Sequence, residues 1–507
     1  MRRPAWFPVL ILTLVCGPGA VLAQAGGGPG ATSVAAPVMP PSPALPEGAG
    51  GDPQTSVAQA ETSAKPSANL TTSIQGLLGP QADPGGIRSF LAKRGIEYSL
   101  TYIGEALGNV SGGIRRGAIY EGRLDLQIDA DLEKLAGWKG AAFHTNFYQI
   151  HGTGLSRYFV GNLDVISGIE ALPSSRLYEL WIEQKLFDDR FGLKVGQIAA
   201  DTEFLVSQTA TLFLNSTYGW PDITGVNLPS GGPAYPLASP AVRAKFTPNK
   251  NFSLQVGLFD GDPAGPYRPG LDPDPQRRNR TGTNFRVTDP PLLIAEAAYA
   301  YNLDGGARKR PVIDEPGTVT LGGWYHFGRF DSLRFDETGR SLADPSTSGI
   351  ARRFRGNDGI YGIIDQTLFR EPDKNDEGAS AFIRLSGSPG DRNLVDFYVD
   401  AGLAYKGLLP GRSDDTVGIS LAYSRISQSI RGLDLDTILA TGQPQPIRNF
   451  EAQLEVTYQA LIAPGITVQP DFQYVFHPGG NAVNPRSPSG QRIKNAAILG
   501  VRSTIRY

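Results

Sequence analysis

The strongest constraint on this sequence is an alternation of apolar and polar residues that recurs along most of the chain. In its clearest run, apolar or small residues occupy every second position from Tyr120 to Leu132, and every position between them is polar or charged. Because successive side chains of a β-strand point to opposite faces, this run places an apolar face opposite a charged one. The last twelve residues, 496–507, repeat the pattern and end on Tyr507. Such strands suit an apolar medium on one side and water on the other.

About sixteen strands of this kind are predicted. They lie at 96–106, 118–132, 141–151, 176–187, 190–198, 240–247, 251–259, 292–301, 317–327, 359–369, 378–387, 393–406, 416–426, 450–460, 465–475 and 496–507. Connections after even-numbered strands are mostly short, and those after odd-numbered strands are mostly long. Outer-membrane barrels have an even strand number, short periplasmic turns and long extracellular loops. The sequence therefore predicts an all-β fold, a transmembrane antiparallel β-barrel of about 16 strands, over residues 95–507.

The N-terminus has the layout of a secretory signal peptide. Two arginines precede an apolar stretch from Trp6 to Val15, and residues 21–23 fit a signal-peptidase site. Residues 1–23 are therefore predicted to be cleaved. A lipoprotein signal centred on Cys16 is the alternative, although Val15 is larger than the small residue that lipoprotein processing needs. Cys16 is the only cysteine, so the mature chain would form no internal disulfide and no thiolate metal site.

Two segments separate this signal from the predicted barrel. Residues 24–69 are rich in Pro, Gly, Ala and Ser and contain no aromatic residue. They are predicted to be a disordered tether, because they cannot bury enough apolar area to offset their ordering entropy. Residues 70–94 are predicted to be a short periplasmic segment with a helix, since Ile87, Phe90 and Leu91 share helical spacing. We expect that helix to rest at the barrel mouth.

Composition limits the partners of the chain. The formal net charge is -2, and no long run of one sign stands out. Nucleic acid and an anionic membrane surface are therefore not expected as the main target. Beyond the signal, no run of eighteen apolar residues occurs, which excludes a helical membrane span on length. The chain should cross a membrane as strands, and its solute should be small or uncharged.

Aromatic residues cluster near the predicted strand ends, mostly on the apolar face. They are Tyr98, Tyr102, Tyr120, Tyr178, Phe187, Phe252, Tyr299, Tyr301, Tyr325, Phe327, Tyr405, Tyr423, Tyr458, Tyr474 and Tyr507. Membrane barrels carry aromatic girdles at both interfaces, whereas core aromatics of a soluble sheet would fall mid-strand as often as at the ends.

The sequence contains no catalytic or metal-binding motif that we recognise. The four histidines lack zinc-binding spacing, and neither a phosphate-binding Gly-x-x-x-x-Gly-Lys-Ser/Thr run nor a Gly-x-Ser-x-Gly elbow occurs. No catalytic residue, metal or cofactor is predicted. Two alternatives stay open. One is a barrel hydrolase acting on lipid or glycan, with Ser and His far apart in sequence, and the other is a cell-surface or cell-wall-binding barrel protein.

The predicted inward face mixes acids, bases, amides and aromatics. Carboxylates and amides can hydrogen-bond sugar hydroxyls in pairs, and rings can stack on sugar C–H faces. The candidate substrate-binding or pore-lining residues are Glu97, Arg123, Asp125, Asp129, Asn146, Glu179, Trp181, Glu183, Lys185, Asp201, Glu203, Trp220, Tyr235, Arg243 and Asp365. Each could instead be a solvated lumen residue. The mixture favours a neutral polyhydroxylated solute over an anion- or cation-selective pore.

The connection at 199–239 is too long and too apolar for a simple turn. Its Phe, Leu, Tyr and Trp residues argue against disorder. We predict that it folds into the lumen and narrows the pore. Trp220 and Tyr235 would then offer stacking faces, while Asp201 and Glu203 would offer hydrogen-bond acceptors. The alternative is an extracellular cap or a contact between subunits.

Several strings resemble the carbohydrate-selective porins of the OprB type. They occur at 129–140, 176–181, 196–204, 213–221, 229–236, 259–263, 365–366 and 478–480. The resemblance runs from about Gly86 to Tyr507. It implies a sixteen-stranded barrel in the outer membrane of a Gram-negative bacterium, through which glucose and related sugars diffuse passively without energy coupling. The Pro-rich tether has no counterpart in that pattern.

The partners implied are sugars and outer-membrane lipid, with no nucleic acid. The terminal strand ending at Tyr507 resembles the signal that the outer-membrane assembly machinery recognises. A homo-oligomer is compatible with this interpretation.

Overall fold

The barrel predicted from the alternation is present in the computed structural model, which describes residues 73–303, 314–371 and 377–507. Sixteen antiparallel strands pair in sequence order, and the first closes on the last. Closure leaves no sheet edge, as the hydrocarbon interior of a membrane requires. The predicted signal peptide and tether lie outside the described residues. Among the residues described, no helix is long and apolar enough to cross a bilayer.

The helices lie before β1 or in the connections between strands. The strands are β1 Ile96–Gly113, β2 Gly117–Asp131, β3 Ala141–Gly152, β4 Ser174–Leu186, β5 Phe191–Ile198, β6 Ser239–Asn249, β7 Phe252–Phe259, β8 Leu292–Tyr301, β9 Gly317–Asp336, β10 Ala351–Arg370, β11 Gly378–Gly387, β12 Val395–Lys406, β13 Thr416–Ile426, β14 Phe450–Ala463, β15 Ile466–Phe476 and β16 Lys494–Arg506. The α-helices are α1 Gln75–Leu78, α2 Ile87–Ala92, α3 Leu132–Ala136, α4 Asp222–Gly225, α5 Pro275–Arg278, α6 Gln428–Thr441 and α7 Pro478–Asn481.

Strand β16 shows how the alternation of apolar and polar residues separates the outer and inner faces of the barrel. Leu499, Val501 and Ile505 are exposed on the outer wall, whereas Arg502 is buried on the inner side. Arg502 lies directly opposite Glu105 in the β1–β16 register. Its Nε donates to Glu105 Oε1 at 2.5 Å. The strand that ends the chain is thus tied to the first strand by an ion pair on the inner face, across the seam where the barrel closes.

A β-bulge in β4 corrects the predicted position of Tyr178. Asn146 pairs with Glu179, whereas the next residue, Phe147, pairs with Leu177, so Tyr178 is the extra residue. A shift of one residue reverses which side chains face inward. Tyr178 is only 2% exposed and Glu179 only 1%. Tyr178 therefore does not belong to the outer aromatic girdle. Girdle residues that are exposed as predicted are Tyr120, Phe187, Phe252, Tyr299, Tyr325 and Phe327.

Two predicted extracellular loops hold more regular structure than their sequences indicate. The predicted loop 328–358 includes the outer ends of β9 and β10, and 427–449 contains α6. Ser427 caps that helix through its side chain. Arg334 Nε donates to Asp436 Oδ2 at 2.8 Å and joins the hairpin to the helix. These contacts link residues far apart in sequence, which local patterning does not reveal.

Gly196→Ala is expected to lower the thermal unfolding midpoint of the barrel in detergent. Gly196 has φ +149°, and a Cβ there would lie 2.2 Å from Leu180 O and 2.6 Å from Trp181 Cα. Paired backbone cannot move aside freely, and such strain costs about 1–3 kcal/mol. The midpoint can be followed by the heat-dependent gel shift of the folded band. Gly362→Ala is the control, because its Cβ would meet Leu321 Cδ2 at 3.4 Å; equal midpoints for both variants would contradict the account.

Candidate functional site

The long connection between β5 and β6, residues 199–238 and here called the inner loop, folds into the barrel. Its apolar side chains join the inner faces of the strands in one buried cluster. Phe213 of the loop lies 6.2 Å, centroid to centroid, from Phe382 of β11. At Gly418 of β13, a Cβ would meet the Phe213 ring at 2.9 Å, so the ring needs this glycine. The loop therefore fills the β11–β13 side of the lumen.

Buried polar side chains of the wall hold the middle of the inner loop. Arg384 of β11 donates through Nη1 to Leu205 O at 2.6 Å and through Nη2 to Thr217 O at 2.8 Å. The same guanidinium pairs with Asp400 of β12 at 2.5 Å, and both side chains are 0% exposed. Glu455 of β14 accepts from Leu214 N at 2.6 Å. Loop backbone groups that would otherwise be buried without partners are thus satisfied by the wall.

A second connection, residues 153–173 and here called the brace loop, supports the inner loop. Gly168 N donates to Leu214 O at 2.8 Å, and Ser216 N donates to Val165 O at 2.9 Å. Glu451 of β14 accepts from the backbone of the brace loop at 2.8 Å. Sequence reasoning did not place this loop inside the barrel. Its buried residues, among them Leu155, Val160 and Ile166, are an apolar signal that could have indicated it.

Both ends of the inner loop are held by predicted site residues. Asp201 accepts from Tyr178 Oη at 3.0 Å and from Tyr235 N at 3.0 Å. Glu179 Oε1 accepts from Ala199 N at 3.1 Å. Burial raises the pKa of Asp201 to about 7, although hydrogen bonds from Tyr235 and Tyr178 oppose this rise. These side chains position the loop and are not open to a solute.

Arg123 and Asp125 also belong to this buried support. The Arg123 guanidinium lies 4.4 Å from the Tyr148 ring centroid and 5.2 Å from that of Tyr235. Its Nη2 lies 4.0 Å from Asp125 Oδ2. Asn146, on the neighbouring strand, is buried beside them. A cation over two ring faces stabilises this packing.

Trp220 and Tyr235 were expected to offer stacking faces to a solute, but the structure buries both rings. Both are 1% exposed. Trp220 Nε1 donates to Gly231 O at 3.0 Å, and Tyr235 Oη donates to Ile169 O at 2.9 Å. The two rings are enclosed by the inner loop and the brace loop. Neither ring has a free face on which a sugar could stack.

A set of polar side chains, four of them partly exposed and three buried, lines the inner wall from β2 to β6 together with Glu203 of the inner loop; we call it the charged strip. It consists of Asp129, His144, Trp181, Glu183, Lys194, Glu203 and Arg243. His144 Nδ1 lies 2.7 Å from Asp129 Oδ1. The Trp181 ring stacks at 4.8 Å on His144 of β3, and Lys194 Nζ of β5 lies 3.7 Å from the Trp181 ring centroid. Neighbours on both adjacent strands thus hold the indole in place.

Glu203 brings the inner loop to the charged strip. It forms an ion pair with Lys194, and Arg243 Nε donates to its Oε2 at 2.9 Å. Arg243 Nη2 also pairs with Glu183 Oε1 at 3.0 Å. Burial alone would raise the pKa of Glu203, but Lys194 and Arg243 outweigh it and lower the pKa to about 2. Glu203 is therefore a fixed carboxylate at any physiological pH.

The structure thus brings five predicted residues together in the strip, namely Asp129, Trp181, Glu183, Glu203 and Arg243. Glu97 lies directly opposite Asp129 in the β1–β2 register, and Lys185 follows Glu183 at even spacing near the end of β4, so both continue the inner face beside the strip. Asp365 accepts from Ser207 Oγ at 2.7 Å and fastens the inner loop to β10.

Lys194 was missed by sequence reasoning. Its position between Leu193 and Val195, both exposed on the outer wall, is the alternation signal that could have identified it as an inward residue.

The strip presents carboxylate acceptors beside ammonium and guanidinium donors. Sugar hydroxyls are both donors and acceptors, so such paired groups can exchange hydrogen bonds with them. In the part of the chain that the structure describes, no group of three or more His, Cys, Asp and Glu side chains could hold a metal ion.

The chain is similar to known porins. A family model described as carbohydrate-selective porin, OprB family, matches residues 115–507. Porin B of Pseudomonas aeruginosa is 25% identical over 448 residues, which cover 83% of this chain and 89% of that protein. The putative porin QuiX of Acinetobacter baylyi is 22% identical over 427 residues, covering 80% and 89%.

A solved structure shows the same fold. The high-pH structure of Pseudomonas putida OprB has a TM-score of 0.72 and 22% sequence identity, and the match covers 84% of this chain and 97% of that one. The family model covers every strand except β1. The chain therefore belongs to the carbohydrate-selective porin, OprB family.

Proposed function

We propose that this protein is a passive, carbohydrate-selective diffusion channel for glucose and related sugars across the outer membrane of a Gram-negative bacterium. The observation that carries the proposal is the meeting of Glu203 with Lys194 and Arg243. There the inner loop, packed on one wall, reaches the charged strip on another. A solute entering the barrel passes a surface of matched donors and acceptors.

The balance of charge in the strip favours a neutral solute. Lys194 and Arg243 face Glu183 and Glu203 in direct pairs. Anion and cation channels instead use rings or ladders of one sign. A sugar can insert hydroxyls among paired groups without leaving a buried charge unpaired, which an ion cannot do. Selectivity then arises from pore width and hydrogen bonding, with no energy coupling.

The family match and the relatives named as porins favour a channel over the barrel hydrolase or the cell-surface binding protein considered from the sequence. Outer-membrane lipid around the apolar wall, a homo-oligomer and recognition of the Tyr507 strand by the assembly machinery complete the proposal. The exposed apolar residues of the outer wall, such as Leu499 and Leu421, support the contact with lipid.

Glu203→Gln is expected to shift ion selectivity towards anions and to weaken block by glucose. The change leaves Lys194 and Arg243 with one carboxylate fewer, and a lost hydrogen bond of about 1 kcal/mol corresponds to about fivefold weaker block. Reversal potentials in a KCl gradient and glucose titration of conductance in planar bilayers measure both effects. Because the pKa of Glu203 is about 2, wild-type selectivity at this site should not change between pH 5 and 8.

The matched control for that experiment is Glu133→Gln. Glu133 lies in α3, at the turn between β2 and β3, and is exposed. A control that shifts selectivity as much as Glu203→Gln, or a Glu203→Gln channel with unchanged selectivity and unchanged block, would contradict the assignment.

Trp181→Ala is expected to weaken glucose block more than it changes ion conductance. Loss of the indole removes the surface that orders His144 and Lys194, so hydrogen-bonding groups lose their fixed positions. Bilayer conductance with and without glucose measures the effect. Trp138→Ala is the control, because Trp138 is exposed near a periplasmic turn. If both variants bind glucose like the wild type, Trp181 is not part of the selective surface.

A further inference from the structure

The segment before the barrel, residues 73–94, lies against the outside of the wall. In β1, Glu105 faces inward, so Tyr98, an odd number of residues away, faces outward. Tyr507 follows the exposed Leu499 and Val501 of β16 at even spacing and lies on the same outer face. The Arg88 guanidinium lies 4.9 Å from the Tyr98 ring centroid and 5.3 Å from that of Tyr507. α2 is therefore at the periplasmic end of the lipid-facing surface and not across the channel mouth.

The segment is fastened there by backbone and side-chain hydrogen bonds. Ile74 N donates to Arg506 O at 2.9 Å. Tyr507 Oη donates to Ala82 O at 2.5 Å. A Cβ at Gly465 would lie 2.2 Å from Ile74 N, so the approach to the β14–β15 turn is close. Asp83 accepts from Arg88 N at 2.7 Å and orders the start of α2. The segment therefore has one defined position.

Its outer surface combines large apolar side chains with basic ones. Leu77 is 56% exposed, Ile87 59% and Phe90 53%. The basic residues of the segment are Arg88, Lys93 and Arg94, and Asp83 is its one acidic residue. The Arg94 guanidinium lies 3.6 Å from the Phe90 ring centroid. Apolar side chains flanked by Lys and Arg are typical of helices that lie in a membrane interface.

We propose that residues 73–94 form a membrane anchor on the periplasmic, phospholipid leaflet. Leu77, Ile87 and Phe90 would enter the acyl-chain boundary, while Lys93 and Arg94 meet lipid phosphates. Two observations favour lipid as the occupant. The segment is continuous with the aromatic girdle through Tyr98 and Tyr507, and its net positive charge is complementary to anionic headgroups. This proposal depends on the barrel and on its orientation in the membrane, and it does not depend on sugar selectivity.

The test places a fluorescent probe at Phe90 of the full chain. Cys16 is the only cysteine, so Cys16→Ser with Phe90→Cys gives one labelling site for a nitrobenzoxadiazole dye. The protein is reconstituted into vesicles of phosphatidylethanolamine and phosphatidylglycerol that contain acyl-brominated lipid. Leu499→Cys on the outer wall, 52% exposed, calibrates full lipid contact. Leu439→Cys on α6, 83% exposed, calibrates water.

Quenching of the Phe90 probe at more than half the Leu499 level, with a blue-shifted emission, is the expected result. Quenching equal to that at Leu439 would overturn the anchor. Protection of the Phe90 probe from aqueous iodide without quenching by brominated lipid would identify a protein occupant, a second copy or a periplasmic partner, and would also overturn the lipid assignment. Neither result depends on whether the channel passes sugar.

Discussion

The buried ion pair between Arg384 and Asp400 is the interaction on which the arrangement of the lumen depends. A guanidinium taken out of water costs several kcal/mol unless its donors are paired. Arg384 meets this requirement with Asp400 and with the carbonyls of Leu205 and Thr217. The wall therefore needs the inner loop as much as the loop needs the wall. A barrel of this width would otherwise be an open, water-filled tube.

The consequence is a lumen with two unlike sides. On the β11–β13 side the inner loop packs against the wall as a hydrophobic core would. On the β2–β6 side Asp129, Trp181 and Glu183 of the charged strip remain partly exposed, and the loop reaches the strip through Glu203. One connection thus both fills the barrel and supplies a charged group to the remaining passage. The width of that passage depends on how firmly the loop is held, because loop position and Glu203 position are covalently linked.

The fold was largely predictable from the sequence, because a strand's faces and the lengths of its connections are local properties. The inward direction of the inner loop was predictable from its apolar content. The bulge that turns Tyr178 inward was not predictable from the sequence, since it depends on how β4 pairs with β3. The burial of Trp220 and Tyr235 was not predictable either. A ring that fills a core and a ring that faces a solute look alike in sequence, and partners such as Ile169 lie many residues away.

The most direct test of this account is the single-channel conductance of Arg384→Met in planar bilayers. Arg425→Met is the matched control, because Arg425 pairs with Asp396 while it is half exposed. If the buried pair holds the inner loop, Arg384→Met should form folded barrels whose conductance is larger and noisier and whose block by glucose is lost, while Arg425→Met behaves like the wild type. A folded Arg384→Met barrel with wild-type conductance and wild-type glucose block would contradict the central claim.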